Sequence, residues 1–271
     1  MNESNNLKLF IGHRHPEFPI WKDYEYFGPE NLTTRAKSQP PELLDHRLLN
    51  EYAFLFQLRR KLESYGETSR SITLYQYRRF LIRGNLGVPS KNIPWANTLK
   101  TAEAIELGEQ IPLMAGPTND QQFQIGPAIR MSDSLLAQYG RHHHCRDILR
   151  FCSDLVDAKI LTNQETLDFL SQKIFIPTPS CGTFPLIFLR GALETLEKSA
   201  QAFLNNGYQK HTDAYQGRVM GFLLERLNSY LLLQHLKSRG LDASKLCGKM
   251  IIISDDTAVK HGVIEPQAPN T

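Results

Sequence analysis

Residues 71–82 read SITLYQYRRFLI, and this stretch decides the class of fold. Its β-branched and aromatic residues predict a central β-strand that runs into a basic end. Working outward, residues 7–11 (LKLFI) form a short apolar run stopped by Gly12, a first strand. Five prolines between residues 13 and 41 predict an irregular, turn-rich loop. From Pro41 to about Tyr65, Leu43, Leu44, Leu48, Tyr52, Leu55, Phe56 and Leu62 recur at helical spacing, and Gly66 ends the pattern. Beyond the central strand come a loop over 84–95, a short helix near 98–107 and a third strand at 111–115 (IPLMA). A Gln-rich loop over 119–130 follows. Residues 132–172 are helical in pattern, with breaks near Gly140 and 159–163. A strand at 174–179, helices over 186–205 and 213–238 with Gly240 at the cap, and a last strand at 249–253 (KMIII) complete the series. Strands alternating with helices predict an α/β fold. We expect a Rossmann-like, mixed and mostly parallel sheet flanked by helices, with a helix-rich C-terminal half. No linker is evident, so a single domain over 1–271 is expected, with an ordered core at 7–253 and a polar tail at 254–271.

Charge narrows the partners. Thirty-one Lys+Arg against 28 Asp+Glu give +3, too mild to predict nucleic-acid or membrane-surface binding. Residues 59–83, however, hold seven Lys/Arg and two Glu, a local +5, which leaves −2 for the rest. That concentration points to a small anionic ligand. No run of 18 apolar residues exists to span a bilayer, and the start MNESNNLKLF lacks a secretory signal. Cys145, Cys152, Cys181 and Cys247 show no CxxC spacing and read as reduced thiols, so a cytoplasmic location is expected.

Four segments carry chemistry. Arg78 and Arg79 at the end of an apolar strand need a partner, and guanidinium forks suit phosphate oxygens; the plain alternative is that one of them is solvated. In Gln138–Asp147 (QYGRHHHCRD), one continuous helix would set Tyr139, His143 and Asp147 on one face, with His143 and Asp147 as an acid/base dyad. His142, His143, His144 and Cys145 invite a zinc reading, but no second ligand cluster lies at zinc spacing, so no metal site is assigned. In Tyr215–Leu227 (YQGRVMGFLLERL), Arg218, Gly221 and Glu225 share a helix face, either as a site or as a structural ion pair. Finally, His13 and Arg14 follow the first strand, where ligands of parallel sheets bind. Walker A, GxGxxG, GxSxG and Asp-x-Asp motifs are all absent.

Taken in order, Ile11-Gly12-His13-Arg14, Gln76-Tyr77-Arg78-Arg79-Phe80, Gln138-Tyr139 with His143 and Asp147, and Tyr215 through Leu227 resemble a bacterial family. It is a domain-of-unknown-function family of glycosyltransferase-like proteins with a GT-A-like fold, found in capsular and exopolysaccharide gene clusters. The last motif is the most specific. The resemblance implies transfer of a sugar from a nucleotide donor, a uridine diphosphate sugar with UDP-galactofuranose as one option, to a growing glycan or lipid-linked glycan. On this reading His13, Arg14, Tyr77, Arg78, Arg79, Tyr139 and Arg218 contact the donor. Asp147 with His143, and Glu225, are the candidate bases, and Arg218 alternatively orients Glu225. Manganese or magnesium is optional without an Asp-x-Asp pair, and membrane contact is at most peripheral. The family's usual His and Asn are Gln76 and Pro185 here. That departure keeps a non-catalytic nucleotide-sugar or glycan-binding member as the alternative. An RNA-binding reading is weaker, because the Arg-rich segment lacks a stacking signature.

Overall fold

In the computed structural model, residues 6–32, 41–63, 71–117, 123–208 and 211–255 are described. The chain opens with β1 (Asn6–Ile11) and its short partner β2 (Glu25–Phe27), followed by α1 (His46–Leu49) and α2 (Tyr52–Glu63). A hairpin of β3 (Ser71–Gln76) and β4 (Arg79–Ile82) leads to β5 (Val88–Pro89) and β6 (Ala96–Leu99). Then come α3 (Thr101–Leu107), α4 (Gln110–Leu113) and β7 (Ile129–Arg130). Three helices follow, α5 (Leu135–His142), α6 (Cys145–Asp157) and α7 (Asn163–Ser171). After β8 (Ile174–Phe175) and β9 (Gly182–Pro185), the long helices α8 (Leu186–Asn205) and α9 (Val219–Ser238) precede α10 (Ala243–Leu246) and β10 (Lys249–Ile253).

The sheet runs β2-β1-β3-β4-β10-β6-β5, with β9 on the free half of β3. β1, β2, β3, β6 and β10 point one way, and β4, β5 and β9 the other. Ile11 lies in register with Gln76, so β1 and β3 end together. Alternation along these strands sorts the core into two layers. Leu9, Ile11, Ile72 and Leu74 meet α2, α8 and α9 on one face. Phe10 and Tyr75 join Trp21, Tyr24 and Phe80 on the other, with Phe10 and Trp21 rings 5.0 Å apart. The expected mixed, mostly parallel α/β architecture is what the chain adopts.

Several local expectations are corrected. The predicted strand 71–82 is a hairpin that bends at Tyr77 and Arg78. No glycine or asparagine marks the bend. Neighbouring strands hold it instead, since Tyr77 N–H donates to Ile11 O (3.1 Å) and Arg78 O accepts from Ile253 N–H (2.8 Å). Gly12 makes room, as a Cβ there would lie 2.9 Å from the Tyr77 ring. The helix predicted from 41 to 65 breaks at Asn50, whose φ of 53° and ψ of −133° no helix accommodates. The strand predicted at 111–115 is the short helix α4, with Pro112 tolerated in its first turn. The break expected at Gly140 falls at His143 and His144. The basic stretch 59–83 is also divided by the fold. Arg59 and Arg60 turn away to the buried Glu197 on α8, with Arg59 at 2.7 Å. The tail from 256 onward lies outside the described residues.

Candidate active site

The joint ending of β1 and β3 opens a cleft of about 1050 Å³, bounded by the α1–α2 junction, the end of α5 and the start of α9. Carboxyl ends of parallel strands are where open α/β sheets bind ligands. His13, Tyr77, Arg78, Arg79, His143, Arg218 and Glu225 all line it. Arg14 stands at its edge, its guanidinium 4.9 Å from the Tyr77 ring and paired with Glu17 at 3.4 Å.

On the sheet side, Tyr77 is an aromatic platform. Arg78 lies 5.5 Å from its ring and His13 meets it edge-on at 5.0 Å. Desolvation, then the charges of Arg14, His46 and Arg78, hold His13 below its ordinary pKa. Arg78 sits at the hairpin tip with its guanidinium engaged by no carboxylate among the described residues.

The floor is a polar network that sequence patterning did not reveal. Arg79 donates to Gln76 Oε1 (3.1 Å), and Gln76 Nε2 donates to Glu51 Oε1 (3.0 Å). Ser180 Oγ also donates to Glu51 (3.3 Å). Burial, then the charge of Glu225, pushes the Glu51 carboxyl above the usual carboxylate range. Glu225 accepts the Thr178 backbone N–H at Oε1 (3.0 Å) and lies 3.8 Å from Arg226 at Oε2. Both carboxylates adjoin strained backbone. Asn50, next to Glu51, has φ 53°, and Thr178, which holds Glu225, has φ 54°. Positive φ is a rare outlier for a β-branched residue and persists where surroundings over-determine it, as at functional sites.

The helical side differs from expectation. His143 ends α5 in an extended conformation (φ −142°, ψ 173°), so Tyr139, His143 and Asp147 do not share one helix. The His143–Asp147 dyad is therefore corrected: Asp147 bonds His211 Nε2 at 2.8 Å, and His143 Nδ1 faces Gln216 Oε1 at 3.3 Å. Burial, then Arg226, takes the His143 pKa down to about 3. Tyr139 is fully buried, with the Arg226 guanidinium 5.0 Å from its ring, and so backs the wall without lining the cleft. The buried cation of the α9 motif is Arg226, not Arg218. Arg226 donates to Phe222 O (2.9 Å) and Gln138 Oε1 (3.2 Å). Glu225 is thus held by Thr178 and Arg226, and the expected Arg218–Glu225 pairing is not formed. Gly221 earns its place by close packing: a Cβ there would lie 2.3 Å from Asn50 Nδ2.

Glu51, Asn50, His211 and Arg226 are the cleft residues that sequence reasoning missed. The one local signal was Asn50-Glu51 interrupting an apolar helical pattern. Among the described residues no three His, Cys, Asp or Glu side chains gather to hold a metal, and no helix is long and apolar enough to cross a membrane. Chemically, the arrangement sets cations for an anion beside carboxylates that can accept a proton.

No protein-family model matches the chain, and no curated protein matches it in sequence. Among solved structures it is similar to the apo form of the WbbM bifunctional glycosyltransferase, with a TM-score of 0.68 over 94% of this chain at 12% identity. The chain spans 46% of the length of that protein. At this identity the likeness speaks for the fold alone, which is α/β and GT-A-like.

Proposed function

We propose that this chain transfers a sugar from a nucleoside diphosphate sugar to a hydroxyl of a glycan or lipid-linked glycan. The motif resemblance favours a uridine diphosphate donor, UDP-galactofuranose among them, and cell-surface polysaccharide as the product, made in the cytoplasm or at the inner face of the membrane. One observation carries the reading: a single cleft at the ends of β1 and β3 sets Arg78 and Arg79 beside the carboxylates Glu225 and Glu51.

Sugar transfer breaks the bond from the anomeric carbon to the diphosphate and forms one to the acceptor oxygen. The departing diphosphate needs positive charge, which preorganised arginines supply without reorganisation. Arg78, with no carboxylate partner among the described residues, meets the phosphates, Arg79 supports it from the floor, and Tyr77 with His13 and Arg14 shapes that end. Glu225 takes the proton of the acceptor hydroxyl, its Oε1 fixed by Thr178 N–H. Asp147 holds His211 at the cleft wall. There is neither an Asp-x-Asp pair in the sequence nor a three-ligand cluster among the described residues, so no metal site is assigned. Gln76, standing where the resembled family has His, still ties Arg79 to Glu51 through its amide.

The test is Arg78→Ala assayed for transfer and donor hydrolysis with a panel of nucleotide sugars. A fall in kcat/KM of about 10²- to 10³-fold with an unchanged melting temperature is expected. Full activity overturns the reading.

A further inference from the structure

Two arginines in the cleft have no carboxylate partner among the described residues, and they arise from different elements. Arg78, on the β3–β4 bend, belongs to the diphosphate end. Arg218, at the start of α9, rests on two rings, its guanidinium 5.2 Å from Tyr215 and 5.7 Å from Phe222. Those rings are fixed in turn. Phe222 stacks on the buried His143 at 4.2 Å, and Tyr215 stacks on it at 5.6 Å and 18°. His143 is held neutral there and does not oppose the arginine. Asp213, on the approach to α9, is occupied as an acceptor from Gln216 N–H at 2.7 Å.

An arginine set on aromatic faces keeps its plane and loses part of its water, which prepares the fork for a planar or tetrahedral oxyanion. On the reading above Arg78 and Arg79 serve the diphosphate, which leaves Arg218, expected from sequence to contact the donor, for the other substrate. At about 1050 Å³ the cleft lies at the top of the roughly 300–1,000 Å³ range of small-molecule sites. Arg218, the residue just before α9, precedes Phe222 by four residues and Glu225 by seven, about 10 Å along the helix axis. A group on Arg218 and a hydroxyl at Glu225 therefore belong to one short end of the same molecule.

We infer that Arg218, braced by Tyr215 and Phe222, forms an oxyanion-reading acceptor subsite, so that the acceptor carries a carboxylate or a phosphate close to its reacting hydroxyl. The word acceptor rests on the glycosyl-transfer reading above; the oxyanion site rests on Arg218 and its rings.

The experiment titrates methyl glucuronide, glucose 1-phosphate and methyl glucoside into the full chain, with uridine diphosphate present to fill the donor end. We expect at least one anionic probe to bind about tenfold tighter than methyl glucoside, and the stronger of the two identifies carboxylate or phosphate. Arg218→Gln is expected to erase that preference while uridine diphosphate affinity stays within about twofold. Arg218→Lys keeps the charge without the fork, and serves as the second variant, with a reduced preference. Equal binding of the three probes by the wild type overturns the inference. So does an Arg218→Gln variant that loses uridine diphosphate and keeps the preference. A wild type that binds the anionic probe through Arg218 but no uridine diphosphate overturns glycosyl transfer and leaves the oxyanion site standing.

Discussion

Gln76 donates its side-chain amide to Glu51 across 3.0 Å, and the same amide's oxygen accepts from Arg79. A neutral group thereby fixes a buried carboxyl and a cation in one frame. Because the folded protein holds the Glu51 proton more tightly than the unfolded chain does, that proton stabilises the fold fully below pH 4.5. The contribution is lost as pH rises through the raised value. Glu51→Gln keeps the shape and removes the titration. Its melting temperature relative to wild type is expected to climb with pH from 4.5 upward, measured by thermal melts across a pH series. A constant offset would show that Glu51 titrates as it does in the unfolded chain.

Gly221 and Asn50 are packed against one another. An added Cβ at Gly221 would lie 2.3 Å from Asn50 Nδ2 and 3.2 Å from its Cβ. Gly221→Ala gains about 1 kcal/mol of helix propensity but meets overpacking of about 1–3 kcal/mol. A net destabilisation of about 1 kcal/mol is expected in denaturant melts, with reduced activity as Glu51 shifts. Asn50→Gly, which also relaxes the positive φ, should turn the same Gly221→Ala change stabilising.

The Asp147–His211 bond replaces the dyad read from sequence. A double-mutant cycle on Asp147→Asn and His211→Gln should give a coupling of about 0.5–3 kcal/mol in stability. The corresponding cycle on Asp147 and His143 should be additive, because His143 lies beyond the end of α5 and the two side chains bond different partners. Coupling to His143 in place of His211 would return the sequence-based pairing.

His143 is neutral in the fold down to about pH 3, whereas the unfolded chain takes up its proton from about pH 6.5. Its contribution is present above 6.5 and is lost as pH falls from 6.5 toward 3. His143→Phe, which keeps the stack on Phe222, should flatten the acid limb of the stability profile over that window. Melting curves between those two pH values measure it directly.

Some of this was legible from the chain alone. Leu7–Ile11, the two long helices α8 and α9 and the strand β10 announce themselves by period and by composition. Arg78, His13 and Glu225 were found by type and order, and the structure brings them to one cleft. Glu51 and His211 were not found, because nothing in local spacing says that a residue at a helix break will meet Gln76, or that a loop histidine will meet Asp147.

The opening stretch shows where the division falls. Residue chemistry by itself determined that residues 71–82 are extended, apolar and basic at Tyr77-Arg78-Arg79, since β-propensity and charge are local properties. It could not determine that the stretch bends. The bend is held by Ile11 O and Ile253 N–H, groups supplied from 66 and 175 residues away, counted from Tyr77 to Ile11 and from Arg78 to Ile253. Backbone groups at a bend must be paired somewhere, and only the assembled sheet supplies the partners. By turning Arg78 to the tip and Arg79 to the floor, the tertiary structure converted two adjacent charges into two separate places in the site.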